Sequence, residues 1–453
     1  MSDKRLHPSF HKPLSSKLMA LYALPHLTHA VVTLPMALYI PAFYADELGL
    51  PLAGVGAMIA LSRIFDVITD PLIGIVSDRF PTRWGRRKPW LAFGTPLIML
   101  ATWMLFVPSG PVSMTYLLLW SSLLFLGFTL FDLPYKAWGA ELSNEYFERS
   151  RVAAWREGFG AAGQVLFLAL LMAMGLTGRH SSHQHMLVLA LMVVITLPPF
   201  VAITLSKVPE RPPEKLKGEV LMGWHSMMAL LHNRSFLRTV IALILFGSGL
   251  MMQATLHKLV LKHVVGHPEW FAPMIFAETV ATLLALPLWI KLSDRIGKHR
   301  AVTIAALWVG FWSLALPWVG AGDLTLYVIL IILRGCSFAA IFFLSNAIAA
   351  DVVDHDIVAT GKHRTGLYFA LWGMAIKLAV ALGVMFGTGL PALFGFDPSA
   401  SSNSEESIQA LMRIYGWLPS LIMALGFPFL WNFPINLDRQ KRLRVTIEER
   451  RMR

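Results

Sequence analysis

Residues 61–90 read LSRIFDVITDPLIGIVSDRFPTRWGRRKPW, an apolar stretch that contains acids and then turns strongly basic. The apolar part is long enough for a membrane helix, yet Asp66 and Asp70 lie inside it. A charge at the centre of such a helix costs roughly 2.5–3.5 kcal/mol on insertion scales, so it faces a cavity or a partner. The stretch therefore predicts a membrane-spanning helix with an acidic site on its inward face.

The rest of the chain repeats the apolar pattern. Of its 453 residues, 56% are hydrophobic and 15% are charged, and the mean hydropathy is +0.59. Soluble proteins contain roughly 45–50% apolar residues, and apolar runs of roughly 20 residues, enough for a ~30 Å hydrocarbon core, recur here throughout. We predict an all-α polytopic membrane protein with twelve spans near residues 18–44, 52–76, 90–108, 114–138, 158–177, 185–205, 236–260, 270–291, 301–320, 324–348, 366–390 and 409–434.

The basic residues predict the orientation of the chain. Loops after the second, fourth and sixth predicted spans are rich in Lys and Arg, whereas the opposite loops ADELGLPL, PSGPVS and FGFDPSASSNSEES contain neither. The positive-inside rule then predicts cytoplasmic termini in a bacterial-type inner (plasma) membrane. The net charge of +12 reflects this topology, and we expect no nucleic-acid partner. We expect the first span to be retained, and the single Cys336 permits no intrachain disulfide.

A repeat divides the chain. IVSDRFPTRWGRR follows the second span and KLSDRIGKHR follows the eighth, so that Asp78 and Asp294 are 216 residues apart, as are Pro71 and Pro287. The segment SKVPERPPEKLKGEV between the repeats is rich in Pro and charge. We predict six-helix bundles at 1–205 and 236–453, joined by a cytoplasmic linker at 206–235. Duplicated halves are typical of a major facilitator carrier, whose substrate site lies between them.

The acidic pair in the second span predicts a cation site. Asp66 and Asp70 are four residues apart and Arg63 precedes Asp66 by three, so all three share a helix face. Neighbouring carboxylates repel when both are ionised, and a bound cation relieves the repulsion. Na⁺ would need further oxygen ligands, from Thr69, Thr129 or backbone carbonyls, whereas H⁺ would not. The alternative is that Arg63 neutralises one carboxylate and the other faces an aqueous vestibule.

Other charges inside the spans need partners as well. Asp132 and Lys136 lie four residues apart in the fourth span, as a local ion pair or as substrate contacts. Lys377 has no acid at helical spacing, so we expect its partner on another helix near the cation site. Glu278 and Arg334 are a second possible cross-helix pair.

The two repeated loops place an acid at a helix end before basic residues. Such clusters can hold neighbouring helices together in one conformation and release them in another. The simpler alternative is that the basic residues only fix the topology. The latch residues that these loops supply are Asp78, Arg79, Arg86, Asp294 and Arg295.

The motifs DVITDPLIGIVSDRFPTRWGRRKPW, FDLPYKAWGAEL and DVVDHDIVATGKHRTGLYFALWGMAIK resemble those of the glycoside–pentoside–hexuronide:cation symporters of the major facilitator superfamily. The resemblance implies that Asp66, Asp70 and Thr129 bind the coupling cation. It also implies that Asp351 and Asp354 are acids of a cytoplasmic loop, which we add to the latch. The predicted substrate-binding residues are Asp132, Lys136, Arg156, Lys377, His29 and Tyr135.

Three positions depart from the family pattern. His29 stands where the family has part of a Lys-Asp pair, Lys136 replaces a sugar-stacking tryptophan, and Thr69 replaces a cation-site asparagine. Extra positive groups suit an acidic or sulfonated sugar or another anion better than a neutral galactoside. The same branch includes lysophospholipid carriers, so an amphiphile remains the alternative.

These observations predict a monomeric secondary symporter. It would couple Na⁺ or H⁺ to a sugar, sugar acid or related polar solute by alternating access, with Asp66 and Asp70 as metal ligands if the ion is Na⁺. We expect no cofactor and no enzyme activity, because motifs such as H-E-x-x-H or G-x-S-x-G do not occur.

Overall fold

The structure, a computed structural model, describes residues 14–79, 82, 84–143, 146–176, 181–210, 230, 233–360, 365–400 and 402–435. Twelve helices in this part of the chain are long and apolar enough to cross a membrane. The predicted count of twelve spans is therefore confirmed, and almost all of the described residues are helical.

The helices of the twelve spans have the following bounds. In chain order they are Ser16–Leu38, Leu52–Arg79, Lys88–Phe106, Met114–Glu141, Tyr146–Leu176, Ser182–Lys207, Arg234–Val260, Phe271–Ile296, Lys298–Ser313, Leu324–Gly335 continued by Phe338–Thr360, Thr365–Leu393 and Glu405–Leu430. Several run beyond the predicted apolar windows, because a helix can continue past the hydrocarbon core into polar sequence that hydropathy does not detect.

The first span ends earlier than residue 44, where the sequence placed its end. The helix stops at Leu38, and a short helix Ile40–Ala42 and a π-helical turn Phe43–Glu47 follow. Pro41 explains the interruption, since proline has no N–H to donate to the carbonyl one turn earlier. The turn carries Asp46 and Glu47 beyond the span.

Glycines allow two pairs of spans, the second with the eleventh and the first with the fifth, to pack closely. A Cβ on Gly56 of the second span would lie 1.6 Å from the hydroxyl of Thr388 in the eleventh, and one on Gly163 of the fifth would lie 1.8 Å from the carbonyl oxygen of Leu27 in the first. Small residues at such contacts let membrane helices approach closely. The second span therefore packs directly against the eleventh, and the first against the fifth.

The sixth span ends at Lys207 and the seventh begins at Arg234. Asn233 caps the seventh helix, because its side-chain oxygen accepts hydrogen bonds from the N–H groups of Ser235 and Phe236. The predicted linker at 206–235 lies largely outside the described residues. Because the number of spans is even, the first span begins and the twelfth ends at the same end of the bundle, called here the termini end; the opposite end is the distal end.

Candidate functional site

The two acids of the second span converge on one hydroxyl of the fourth span. Asp66 is 2% exposed, and Thr129 Oγ1 lies 2.6 Å from Asp66 Oδ1 and 2.8 Å from Asp70 Oδ1. A threonine hydroxyl has one proton, so it donates to one carboxylate at a time. The hydroxyl therefore brings the carboxylates together without neutralising either.

Lys377 of the eleventh span supplies the positive charge. Its Nζ lies 2.8 Å from Asp66 Oδ2 and 2.5 Å from Asp70 Oδ2. This confirms the prediction that the partner of Lys377 is an acid near the cation site. The lysine ammonium occupies the position between the carboxylates that a coupling cation would need, and it joins the second span to the eleventh.

Arg63 has a weaker connection with the pair. Its Nη1 lies 3.7 Å from Asp66 Oδ2, while its guanidinium carbon lies 3.7 Å from the ring centroid of Phe125. Stacking on an aromatic face is favourable for a cation, but it turns the planar donor group away from a bidentate bond with the carboxylate. Lys377, rather than Arg63, is the main counter-charge of the pair.

Thr69 is buried beside the pair but its hydroxyl points elsewhere. Thr69 Oγ1 donates to the backbone carbonyl of Asp66 at 3.1 Å, within the same helix.

We expect Thr129→Val to weaken apparent cation affinity about tenfold or more, because a hydrogen bond to a charged group contributes roughly 1.5–3 kcal/mol. Thr69→Val is the matched control and should change it little. The measurement is the cation dependence of uptake; equal effects of both substitutions would contradict this assignment.

A second charged group lies on the fourth span, one turn beyond Thr129. Lys136 Nζ forms an ion pair with Asp132 Oδ2. The side chain of Lys136 is 48% exposed and that of Asp132 24%, so the pair borders an accessible space. The fourth span therefore carries Thr129, which contacts the acidic pair, and also the Asp132–Lys136 ion pair. A shift of this helix would move both.

Aromatic rings surround the remaining predicted substrate residues. His29 lies between Phe131, with ring centroids 4.7 Å apart, and Phe128 at 4.6 Å. The Tyr135 hydroxyl donates to the Tyr22 carbonyl at 2.5 Å, and the Tyr22 hydroxyl donates to the Tyr135 carbonyl at 2.8 Å. Tyr135 therefore joins the first span to the fourth.

Arg156 lies in the first half of the fifth-span helix, beside Glu157. Its Nη2 lies 2.5 Å from Glu157 Oε1, and its side chain is 13% exposed whereas that of Glu157 is 64% exposed. The guanidinium is thus paired with a neighbouring acid that can turn to solvent.

At the distal end, acids that follow the first span meet bases of the seventh. Lys262 Nζ lies 2.7 Å from both Asp46 oxygens, Lys258 Nζ lies 3.2 Å from Glu47 Oε1, and His263 Nε2 lies 3.5 Å from Asp46 Oδ1. Burial alone would raise the pKa of Asp46, but the nearby His263 and the hydrogen bonds from Lys262 outweigh it and hold that pKa below its ordinary value. The Asp46 carboxylate stays charged at any physiological pH. We call these five residues the distal ion-pair cluster.

This cluster joins the first six spans to the last six, and the sequence analysis missed it. Between side chains that the structure describes, ion pairs across these two parts of the chain occur only here and at Lys377. The available signal was an acidic ADE turn after the first span and a KLVLKH segment in the seventh.

Charge reversal tests whether the distal ion-pair cluster holds the distal end of the bundle closed. We expect Asp46→Lys to favour opening at the distal end, because it places a cation beside Lys262 and His263. Adding Lys262→Asp should restore closure. The measurement is alkylation of Ser182→Cys, a buried distal position, in a Cys336→Ser background. A double variant alkylated as fast as Asp46→Lys would contradict closure by these charges.

At the termini end, the predicted latch residues lie in separate contacts. Arg86 Nη2 lies 2.6 Å from Glu141 Oε1, and Lys298 Nζ lies 2.7 Å from Asp351 Oδ2. Asp294, Arg295 and Asp354 are exposed. The side chains of Asp78 and Arg79 lie outside the described residues. The latch at this end remains a prediction.

A buried polar network lies within the last six spans. Arg334 Nη2 lies 2.7 Å from Glu278 Oε1, which confirms the expected contact. Arg334 also donates to Gln253 Oε1 at 2.6 Å, and its Nη2 lies 2.7 Å from His257 Nε2. Breaking such a buried pair is strongly destabilising, and a structural role accounts for it.

The fold defines the class of protein. The crystal structure of the nucleoside transporter NupG (D323A mutant) matches with a TM-score of 0.65 and 15% identity, covering 91% of this chain and 99% of that one. With twelve spans, this is the architecture of a major facilitator transporter. The chain belongs to the family described as MFS/sugar transport protein, which matches residues 21–437.

Two proteins of similar sequence show which kinds of transporter this chain is related to. A glucuronide carrier protein homolog of Escherichia coli (strain K12) is 25% identical over 429 residues, which are 92% of each chain. The sodium-dependent lysophosphatidylcholine symporter 1 of Homo sapiens is 23% identical over 429 residues, covering 86% of this chain and 77% of the human protein. The resemblance to glycoside–pentoside–hexuronide:cation symporters is confirmed. The protein is a membrane symporter of small molecules, related to bacterial inner-membrane symporters, and not an enzyme.

Proposed function

We propose that the protein couples the entry of a cation, Na⁺ or H⁺, to transport of a sugar acid or related polar anion. The observation that carries this proposal is the position of Lys377 between Asp66 and Asp70. A lysine that neutralises two acids from another helix is an internal substitute for a coupling cation. The cation that replaces it releases the second span from the eleventh.

This exchange gives a physical basis for alternating access. Without cation, the Lys377 bridge holds the second and eleventh spans together. With cation bound, the acids no longer need the lysine, and these spans can separate. The distal ion-pair cluster opens or re-forms as the carrier passes from one conformation to the other. Because Thr129 and Asp132 lie on the same helix, occupation of the cation site also positions Asp132. Coupling is reciprocal, so substrate tightens cation binding by the same factor.

The charges near Asp132 support an anionic substrate. Lys136 and Arg156 each hold an acid that is partly exposed, so an incoming carboxylate can exchange with these acids at little desolvation cost. A glucuronide carrier homolog among the relatives is consistent with a uronate. We also propose two bundles at 1–205 and 236–453 with the linker at 206–235, cytoplasmic termini in an inner membrane, and a monomer.

A second candidate substrate is an anionic amphiphile. An apolar crevice of about 290 Å³ runs between the second, seventh and eleventh spans, with Arg63 and Lys377 on its wall. Its apolar lining includes Ile64, Val67, Phe236, Ile244, Leu371 and Leu378. An acyl chain could occupy this crevice with its charged group at the lysine, in agreement with a lysophosphatidylcholine symporter among the relatives.

The direct test is uptake by the full chain in proteoliposomes, with glucuronate and a lysophospholipid as probes. Each is offered under an imposed Na⁺ gradient, an imposed proton gradient, or neither. We expect accumulation of one probe that requires one of the two gradients. Accumulation of either that is indifferent to both gradients would overturn cation coupling.

A further inference from the structure

Three metal-binding side chains converge beside the Asp132–Lys136 pair. His26 and His29 lie one turn apart on the first span, and Asp132 faces them from the fourth. One ligand atom from each, a ring nitrogen or a carboxylate oxygen, lies within 4.8 Å of the others. Spacing of three residues places both imidazoles on one helix face.

The ligand atoms of this group lack partners. Both ring nitrogens of His29, Nδ1 of His26 and Oδ1 of Asp132 are shielded from solvent and accept or donate no hydrogen bond to any residue that the structure describes. His29 as a whole is 4% exposed. A buried polar atom without a partner costs roughly 1–3 kcal/mol, and such atoms are rare. Three converging residues that each carry such an atom indicate a ligand.

The donor types identify the ligand. Two imidazoles and a carboxylate favour Zn²⁺ and related divalent transition metals, whereas Na⁺, Mg²⁺ and Ca²⁺ prefer oxygen donors. Zn–N bonds of about 2.0–2.1 Å place tetrahedral ligand atoms roughly 3.4 Å apart, so small side-chain rotations close the group. Glu157 Oε2, 3.9 Å from His26 Nε2, is placed to orient that ring as an outer carboxylate.

We propose that His26, His29 and Asp132 form a binding site for a divalent transition-metal ion of the Zn²⁺ type, with a fourth position open toward the accessible Lys136. The metal joins the first span to the fourth. If the proposed function is right, it also withdraws Asp132 from the substrate, and Zn²⁺ inhibits uptake.

The test is Zn²⁺ binding to the purified full-length protein in detergent, measured by competition with a chromogenic chelator. We expect one equivalent whose affinity falls at least ~10-fold in His29→Gln and in Asp132→Asn, a loss that even an outer partner of a metal site produces. His183→Gln, which removes a half-exposed histidine at the distal end, is the matched control and should leave this equivalent unchanged.

Lys136→Ala distinguishes a metal from an anionic ligand. Replacing the lysine frees the second Asp132 oxygen and removes a nearby positive charge. Zn²⁺ should therefore bind more tightly, whereas an anion would bind more weakly. Visible absorption of bound Co²⁺ provides an independent readout of low-coordinate geometry. Binding that survives His29→Gln and Asp132→Asn, or that Lys136→Ala weakens, would overturn the site. No substrate or gradient is used, so this result and the test of symport fail independently.

Discussion

Replacing Lys377 with methionine is expected to make the stability of the folded protein depend on added cation. The substitution leaves Asp66 and Asp70 facing each other, and the positive charge that remains beside them among the described residues is the Arg63 guanidinium, 3.7 Å from Asp66 Oδ2. Removing one partner of a buried ion pair costs about 3–5 kcal/mol. Without cation, the free energy of unfolding should fall by roughly that amount, and binding of a cation to the folded state should restore it.

The measurement is thermal unfolding of the variant in detergent, with increasing NaCl at alkaline pH and, separately, with decreasing pH at constant choline chloride. Recovery with NaCl identifies Na⁺ as the ion, and recovery only on acidification identifies H⁺. Lys291→Met, which removes an exposed lysine near the end of the eighth span, is the matched control and should respond to neither. A Lys377→Met protein as stable as the unmodified chain under all conditions would contradict the role of the lysine as internal counter-charge.

Replacing Asp66 with asparagine should abolish coupling while leaving substrate exchange. The amide keeps the shape of the side chain but removes one negative charge, so Lys377 and Asp70 form a neutral pair that no longer attracts a cation. Coupling free energies of 1–3 kcal/mol correspond to roughly 5–150-fold changes in affinity. We expect the factor by which the cation raises substrate affinity to fall from a value in this range to about one.

The measurement compares gradient-driven uptake with counterflow of substrate in the same proteoliposomes. Counterflow needs no gradient and should persist, since the Asp132–Lys136 pair is intact. Glu406→Gln, at an exposed acid of the twelfth helix, controls for the loss of a carboxylate. Gradient-driven accumulation at the unmodified level in Asp66→Asn would exclude this carboxylate from the cation site.

Helical spacing was sufficient to predict the acidic pair, because a helix of known period fixes which residues share a face. The same reasoning led to Lys377, since a membrane lysine without a local acid must find one on another helix. Spacing did not show how Thr69 is used. A helical threonine can donate to a carbonyl one turn earlier, and Thr69 does so.

The distal ion-pair cluster could not be predicted by such reasoning. Its partners lie far apart in the sequence, 216 residues for Lys262 and Asp46, and they lie where polar groups are normally solvated. No helical period relates them. The same applies to the convergence of His26 and His29 with Asp132, which depends on how closely the first and fourth spans pack.

The Lys377 bridge also bears on how the membrane potential acts on the cycle. With Asp66, Asp70, Arg63 and Lys377 all ionised, the formal charges of the empty site cancel. A bound monovalent cation alone would add one positive charge, worth about 2.3 kcal/mol per 100 mV, but a monovalent anionic substrate bound with it cancels that charge, so the fully loaded carrier is neutral as well. Transport of one cation with one monovalent anion would then be independent of the membrane potential, whereas a second cation or a neutral substrate would make inward movement of the loaded carrier faster when the cell interior is negative.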